Sequence, residues 1–139
     1  MTKALVSHVG IAVKDLEKSI KVYSILIGDQ KPVIENVPSE NVKVAIFSGS
    51  DKSAGRIELV AATSAESLIA KFINKRGEGL HHICIYVDDI NSKLSELKKA
   101  GVKLIDETHK LGAEGKKIAF VHPENLGGVL IELEERKRS

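Results

Sequence analysis

The sequence predicts an α+β fold made of two tandem βαβββ modules related by pseudo-two-fold symmetry, with curved mixed sheets. Three observations predict it. The first is self-similarity: His8-Val9-Gly10-Ile11-Ala12-Val13-Lys14-Asp15-Leu16 matches His82-Ile83-Cys84-Ile85-Tyr86-Val87-Asp88-Asp89-Ile90 at four of nine positions, with an offset of 74. The second is that the same offset recurs: Val44–Phe47 falls on Ile118–Val121, and Ile57-Glu58-Leu59 falls on Ile131-Glu132-Leu133, again 74 apart. The third is that each copy opens with strand-like alternation and then switches to helical spacing. Two copies are too few for a solenoid, so a duplicated module closing one core is expected.

The elements follow in order. Val6–Val13 alternates large apolar residues with small or polar ones, the period of a half-buried strand. Asp15 is a natural N-cap, Leu16, Ile20, Tyr23 and Ile27 form a helical stripe, and Gly28 provides the stop. Strands are expected at about 31–36, 42–48 and 56–61. Ser64–Arg76 carries Leu68, Ile69, Phe72 and Ile73 at amphipathic spacing and reads as a linker helix ending at Gly77. The second copy runs as strand His81–Val87, N-cap Asp89, the stripe Ile90, Leu94, Leu97 and Ala100 stopped by Gly101, and strands at about 103–107, 117–122 and 128–134. The expectation is one domain over 1–139, with repeats at about 6–61 and 80–135 joined by a helical linker at about 62–79, and a frayed tail from Glu135.

Composition excludes several classes. Apolar residues at 42% and charged residues at 29% are ordinary for a folded domain rather than a disordered chain. The net charge of +2, with five aromatics and no tryptophan, argues against a nucleic-acid surface. No apolar run approaches the ~20 residues that span a bilayer, so no membrane partner is expected. The N-terminal residues carry no secretory h-region, and the single cysteine, Cys84, fits a reducing compartment. A cytoplasmic location is expected.

Alternation also sorts the polar residues by face. Val9, Ile11 and Val13 share the face that the first helix covers, which turns His8, Gly10 and Ala12 the other way. Ile83, Ile85 and Val87 likewise leave His82, Cys84 and Tyr86 opposite. Glu58 and Glu132 are bracketed by apolar neighbours and point away from the helices as well. The repeat thus delivers His8, Glu58, His82 and Glu132 to equivalent places, where symmetric packing would gather them in one cavity. Two imidazoles and two carboxylates suit a divalent ion of intermediate hardness, with positions left for water or substrate. They also suit zinc, although a thiolate-rich structural zinc site cannot be built from one cysteine. The competing reading is a structural histidine and the wet face of a sheet at each position.

With these residues, the chain resembles the vicinal oxygen chelate superfamily, the paired βαβββ metalloenzymes that include glyoxalase I, and within it the methylmalonyl-CoA epimerases. The specific stretches are Gly77-Glu78-Gly79-Leu80-His81-His82-Ile83, Val102–Glu107, Gly115–Pro123 and Gly127–Leu133. The resemblance implies metal ligands at His8, Glu58, His82 and Glu132, with cobalt ahead of manganese, nickel, magnesium or zinc. It implies epimerisation of a CoA thioester by proton transfer at C2 through a metal-stabilised enolate, with Glu132 as one acid–base residue, and a homodimer. Val44 stands where some of these relatives carry a second carboxylate, which leaves the other acid–base group among Glu40, Glu35, Glu58 and a metal-bound water. A glyoxalase-type isomerase and a non-catalytic small-ligand binder of the same architecture are the alternatives.

The other polar residues have smaller expected roles. His81 points to the face opposite His82, His122 before Pro123 reads as structural, and His109 reads as exposed. Lys116 and Lys117, in the Gly-rich loop after Leu111, are candidate partners for CoA phosphates.

Overall fold

Alternation in the opening segment is realised as β1 (Leu5–Ala12), and Asp15 then turns the chain into α1 (Leu16–Leu26). The Asp15 carboxylate accepts the backbone N–H of Lys18 at 3.0 Å, satisfying one of the otherwise unused donors of the first turn. The computed structural model describes residues 5–28, 30–49 and 55–136. They form two compact units, one from His8 to His81 and one from His82 onward together with the residues through Ser7.

In the first unit, β2 (Val33–Val37), β3 (Val42–Phe47) and β4 (Arg56–Ala62) complete a mixed sheet in the order β2-β3-β4-β1. β1 and β4 run parallel, and the other neighbours are antiparallel. One face is covered by α1, whose Leu16, Ile20, Tyr23 and Ile27 pack on Val13, Ala45, Phe47, Leu59 and Ala61. The opposite face receives α2 (Leu68–Arg76), whose Ile69, Phe72 and Ile73 pack on Ala12, Val42, Val44 and Val60.

The predicted linker helix is therefore part of this unit's core. It also begins later than its apolar spacing suggests. Ser67 caps it by accepting the Ile69 N–H at 3.1 Å, while Ser64–Ser67 forms a turn. Gly77 ends it at φ 82°, a conformation that carries no steric penalty for glycine.

The second module repeats the plan with β5 (Gly79–Val87), α3 (Ile90–Lys99), β6 (Lys110–Leu111), β7 (Lys117–Val121) and β8 (Ile131–Glu135). Its sheet runs β5-β8-β7-β6. Asp89 caps α3 as Asp15 caps α1, accepting from Ser92 N at 3.1 Å. Ile90 and Leu94 are fully buried against Val87, Ala119, Val121 and Leu133.

The register repeats too. Val9↔Ile57, Gly10↔Glu58 and Ile11↔Leu59 in the first module become Ile83↔Ile131, Cys84↔Glu132 and Ile85↔Leu133 in the second. The antiparallel partners Ile46↔Glu58 and Phe120↔Glu132 follow the same correspondence. The sequence offset is thus reproduced as hydrogen-bond register between β1 and β4 and between β3 and β4, while the edge pair differs by one residue, with Asn36↔Lys43 in the first module and Lys110↔Ile118 in the second.

Three expectations for the second module need correction. The strand expected at about 103–107 does not form; only an isolated bridge joins Leu104 to Val121, and the edge strand is the short β6. The Asp106 carboxylate accepts the Phe120 N–H at 2.8 Å, while the N–H groups of Ile105 and Asp106 both donate to the Phe120 carbonyl. A side chain has taken the place of a ladder carbonyl, so regular pairing stops there.

The last strand starts at Ile131 rather than near 128, because Gly127 and Gly128 hold φ of 67° and 82° in the turn after the 3₁₀ segment Pro123–Asn125. Glu135 is not frayed either. It ends β8, its carboxylate accepts the Ile90 N–H at 3.1 Å, and the next residue's N–H reaches the Val87 carbonyl at 2.8 Å. The rest of the tail, 137–139, lies outside the described residues.

Candidate functional site: two histidine–glutamate pairs

Each module brings one histidine and one glutamate together on the sheet face away from its β-α helix. In the first, His8 of β1 and Glu58 of β4 meet with Nδ1 3.2 Å from Oε2, at side-chain exposures of 7% and 14%. Register explains the approach: His8 is opposite Arg56 and Gly10 is opposite Glu58, so the imidazole and carboxylate lean toward each other over a glycine. In the second, His82 of β5 and Glu132 of β8 meet with Nε2 3.4 Å from Oε1, both side chains at 12% exposure. Here Cys84, fully buried, takes the place of the glycine opposite the glutamate.

A carboxylate this shielded from water is costly unless paired, and each imidazole supplies a partner. The same two groups are ready donors for a divalent ion, since a neutral imidazole nitrogen and a carboxylate oxygen both present lone pairs. The four side chains predicted as ligands are thus found as two contacting pairs, one per module.

Arg56 is a site residue that the sequence pattern did not single out. Its guanidinium nitrogen lies 3.7 Å from Glu58 at 12% side-chain exposure, so the first pair is a triad of His8, Glu58 and Arg56. The Arg56–Glu58 spacing of i, i+2 on one strand was the available signal. It stood out poorly because the repeat has Leu130 at the corresponding position.

The remaining candidates are placed as follows. Lys116 Nζ lies 3.7 Å from the buried Glu134 carboxylate and 3.9 Å from Glu114, and Lys117 Nζ lies 3.6 Å from Glu135. His81 sits edge-on to Phe72 of α2 at 4.9 Å between ring centroids, a packing role. His122 Nδ1 accepts the Glu124 N–H at 3.0 Å and caps the 3₁₀ segment after it. His109 is half-buried rather than exposed, with Nδ1 2.8 Å from the Asn91 amide of α3. Tyr86 carries the Arg136 guanidinium 5.9 Å above its ring. Glu40 is exposed in the 3₁₀ turn Pro38–Glu40, whereas Glu35 is half-buried on β2. Val44 is buried in the core under α2.

Comparison with known proteins agrees with this architecture. Residues 7–120 match the glyoxalase/bleomycin resistance protein/dioxygenase superfamily. The mitochondrial methylmalonyl-CoA epimerase of Homo sapiens is 40% identical over 131 residues, covering 93% of this chain and 72% of the human protein. The crystal structure of methylmalonyl-CoA epimerase from Mycobacterium tuberculosis superposes with a TM-score of 0.83 at 36% identity, covering 96% of this chain and 88% of that one. A variant of the Streptomyces coelicolor methylmalonyl-CoA epimerase in complex with 2-nitronate-propionyl-CoA gives 0.81 at 29% identity, covering 94% and 92%. A duplicated βαβββ module with a histidine–glutamate pair in each half, and identity at this level along almost the whole chain, lead to one assignment. The chain belongs to the methylmalonyl-CoA epimerase family of the glyoxalase/bleomycin resistance protein/dioxygenase superfamily.

Proposed function

We propose that this protein interconverts the (R) and (S) forms of methylmalonyl-CoA by moving a proton at C2, with His8, Glu58, His82 and Glu132 holding a divalent ion. The observation that carries the reading is the pair of largely shielded imidazole–carboxylate contacts at positions related by the repeat, in a chain of this family. Two nitrogens and two carboxylate oxygens fit a six-coordinate ion of intermediate hardness, cobalt first, with manganese, nickel, magnesium or zinc as alternatives. The ion, when bound, would supply positive charge to the thioester oxygen on which negative charge develops.

The chain's own residues do the rest. Arg56 approaches the same Glu58 oxygen as His8, at 3.7 Å, and helps fix the carboxylate's orientation. The low exposure of all four side chains keeps water out and strengthens each electrostatic contact. Glu132 exchanges the C2 proton on one face of the substrate. Lys116 and Lys117 take the CoA phosphates, trading their carboxylate neighbours for a more highly charged partner. Replacing both lysines with alanine is expected to raise KM for methylmalonyl-CoA about 3–10-fold at constant kcat, since each partly exposed contact is worth roughly 1 kcal/mol or less. An unchanged KM would remove them from binding.

We also read the protein as a cytoplasmic homodimer. Val22, Ile25 and Leu26 on α1 are 61–74% exposed, apolar surface that a second copy would cover. No helix among the described residues is long and apolar enough to cross a membrane. Light scattering at twice the 15.1 kDa chain mass is the expected result, and a monomer at micromolar concentration would contradict the dimer.

Dialysis against a chelator, with activity followed before and after adding back cobalt, tests the catalytic reading. Loss of epimerisation and its recovery at one ion per chain is expected. Full activity with no bound ion would contradict the ligand assignment.

A further inference from the structure

The segment that replaces the expected strand at 103–107 is a clamp on one residue of β7, Phe120. The Asp106 carboxylate accepts the Phe120 N–H at 2.8 Å, and the N–H groups of Ile105 and Asp106 both donate to the Phe120 carbonyl. The same Asp106 oxygen lies 3.5 Å from Lys110 Nζ. That ammonium in turn stands over the Phe120 ring, 5.0 Å from its centroid. Asp106 therefore holds Phe120 twice, through the main chain directly and through the ring by way of Lys110. The packing of α3 does not account for this, since its cluster is built on Ala119, Val121 and Leu133, and alternation turns Phe120 to the other face.

That other face carries the second histidine–glutamate pair. Phe120 is directly opposite Glu132 in the β7–β8 register, which sets their Cβ atoms roughly 5 Å apart on one side of the sheet. Glu132 touches His82 at 3.4 Å. Its cross-strand partner on β5 is Cys84, which has no exposed surface. Phe120 is half-buried, so of the two side chains flanking Glu132 across the sheet it is the ring that can meet a ligand. A phenyl ring has no proton to exchange, but one held beside a proton-transferring carboxylate bounds the space around the carbon being deprotonated. That carbon bears a thioester carbonyl, a carboxylate and an alkyl group. Of these, the alkyl group gains most from leaving water for an aromatic surface.

We propose that Phe120 limits the size of the alkyl group at C2, with Asp106 and Lys110 as positioning residues that hold its ring beside Glu132. This rests on the epimerase reading above and narrows the substrate class to 2-carboxyacyl thioesters with a short C2 branch. The clamp is what gives the ring its selectivity. A phenylalanine free to change rotamer would swing aside for a longer chain, whereas a ring tied through Lys110 and Asp106 stays in place. One more methylene then has to push against the ring or lift the substrate away from Glu132. An apolar pocket of fixed shape discriminates one methylene by about 10–200-fold.

The test compares methylmalonyl-CoA with ethylmalonyl-CoA, longer by one methylene at C2, with kcat/KM for each read from C2-proton exchange in D2O by the metal-loaded protein. Wild-type protein should prefer the methyl substrate by at least ~10-fold. Phe120→Ala should raise the ethyl-to-methyl ratio by at least ~10-fold. Phe120→Leu should raise it less, and because it keeps an apolar side chain it decides the matter where the alanine variant does not fold. Lys110→Met removes the charge at similar length and should raise the ratio about 2–5-fold, the worth of a cation–π contact near the surface. The ratio does not depend on how much protein is folded or metal-loaded, so a merely structural role would leave it unmoved. A wild-type ratio in the Phe120 variants, with both substrates slowed in proportion, would overturn the proposal, as would wild-type protein that handles both thioesters equally. A wild-type ratio in Lys110→Met would overturn the clamp. Wild-type protein that exchanges neither substrate would instead overturn the epimerase reading.

Discussion

Replacing His8 or His82 with alanine is expected to lower kcat/KM for methylmalonyl-CoA by about 10²–10³-fold and to release the bound ion. Each change removes one of the four proposed donors and takes away a carboxylate's imidazole contact, at 3.2 Å for Glu58 and 3.4 Å for Glu132. Losing one fixed electrostatic partner of a developing oxyanion costs roughly 3–4 kcal/mol, and each 1.36 kcal/mol is tenfold in rate. Glu58 keeps Arg56 as a second partner after His8→Ala, so that variant should fold with near wild-type stability. Kinetics with elemental analysis of bound metal, and urea unfolding of both variants, provide the check. Unchanged activity and metal content in either variant would remove that histidine from the site.

The largest effects on stability are expected at Leu59 and Leu133. They occupy repeat-equivalent positions next to Glu58 and Glu132, at 0% and 4% exposure, each inside its module's core. Leu→Ala at such sites costs about 2–5 kcal/mol, from lost transfer free energy and the cavity left behind. Because the register around the two leucines is the same, the two losses should agree within about 1–2 kcal/mol, the usual spread between sites. Activity should fall as well, since each leucine fixes the strand segment that aims the neighbouring glutamate. Urea midpoints at constant m-value read the effect. A loss under about 1 kcal/mol at either position would mean that the core is not packed as described.

Much of this arrangement is legible in the chain because two periods coincide. The period of two within each strand sorts residues by face, and the offset of 74 between copies marks which faces correspond. Together they single out His8, Glu58, His82 and Glu132, and the folded chain brings these together as one pair in each module. The helix ends are equally readable, since Asp15 and Asp89 are capping side chains next to their stripes.

The departures lie where side chains compete with backbone or where topology decides. Asp106 occupies a ladder position with its carboxylate, which no hydrophobic pattern can announce. The stripe of α2 is visible in the sequence, but which sheet face it covers depends on where the chain goes after β4. Glu135 caps α3 from 45 residues away, a contact that only the folded sheet creates. Arg56 is hidden because the repeat draws attention to matched positions, and it has no match. Glu35 shows the reverse limit: the sequence offers it among several carboxylates, and the β2–β3 register sets it beside Val44 in the row that α2 covers.

The most direct test of the central claim is proton NMR of methylmalonyl-CoA in D2O with cobalt-loaded protein, beside a chelated control. The account predicts loss of the C2-proton signal far above the spontaneous rate, dependent on metal and abolished in both the His8→Ala and His82→Ala variants. A C2 proton that persists at the spontaneous rate, in protein carrying one bound ion per chain, would contradict it.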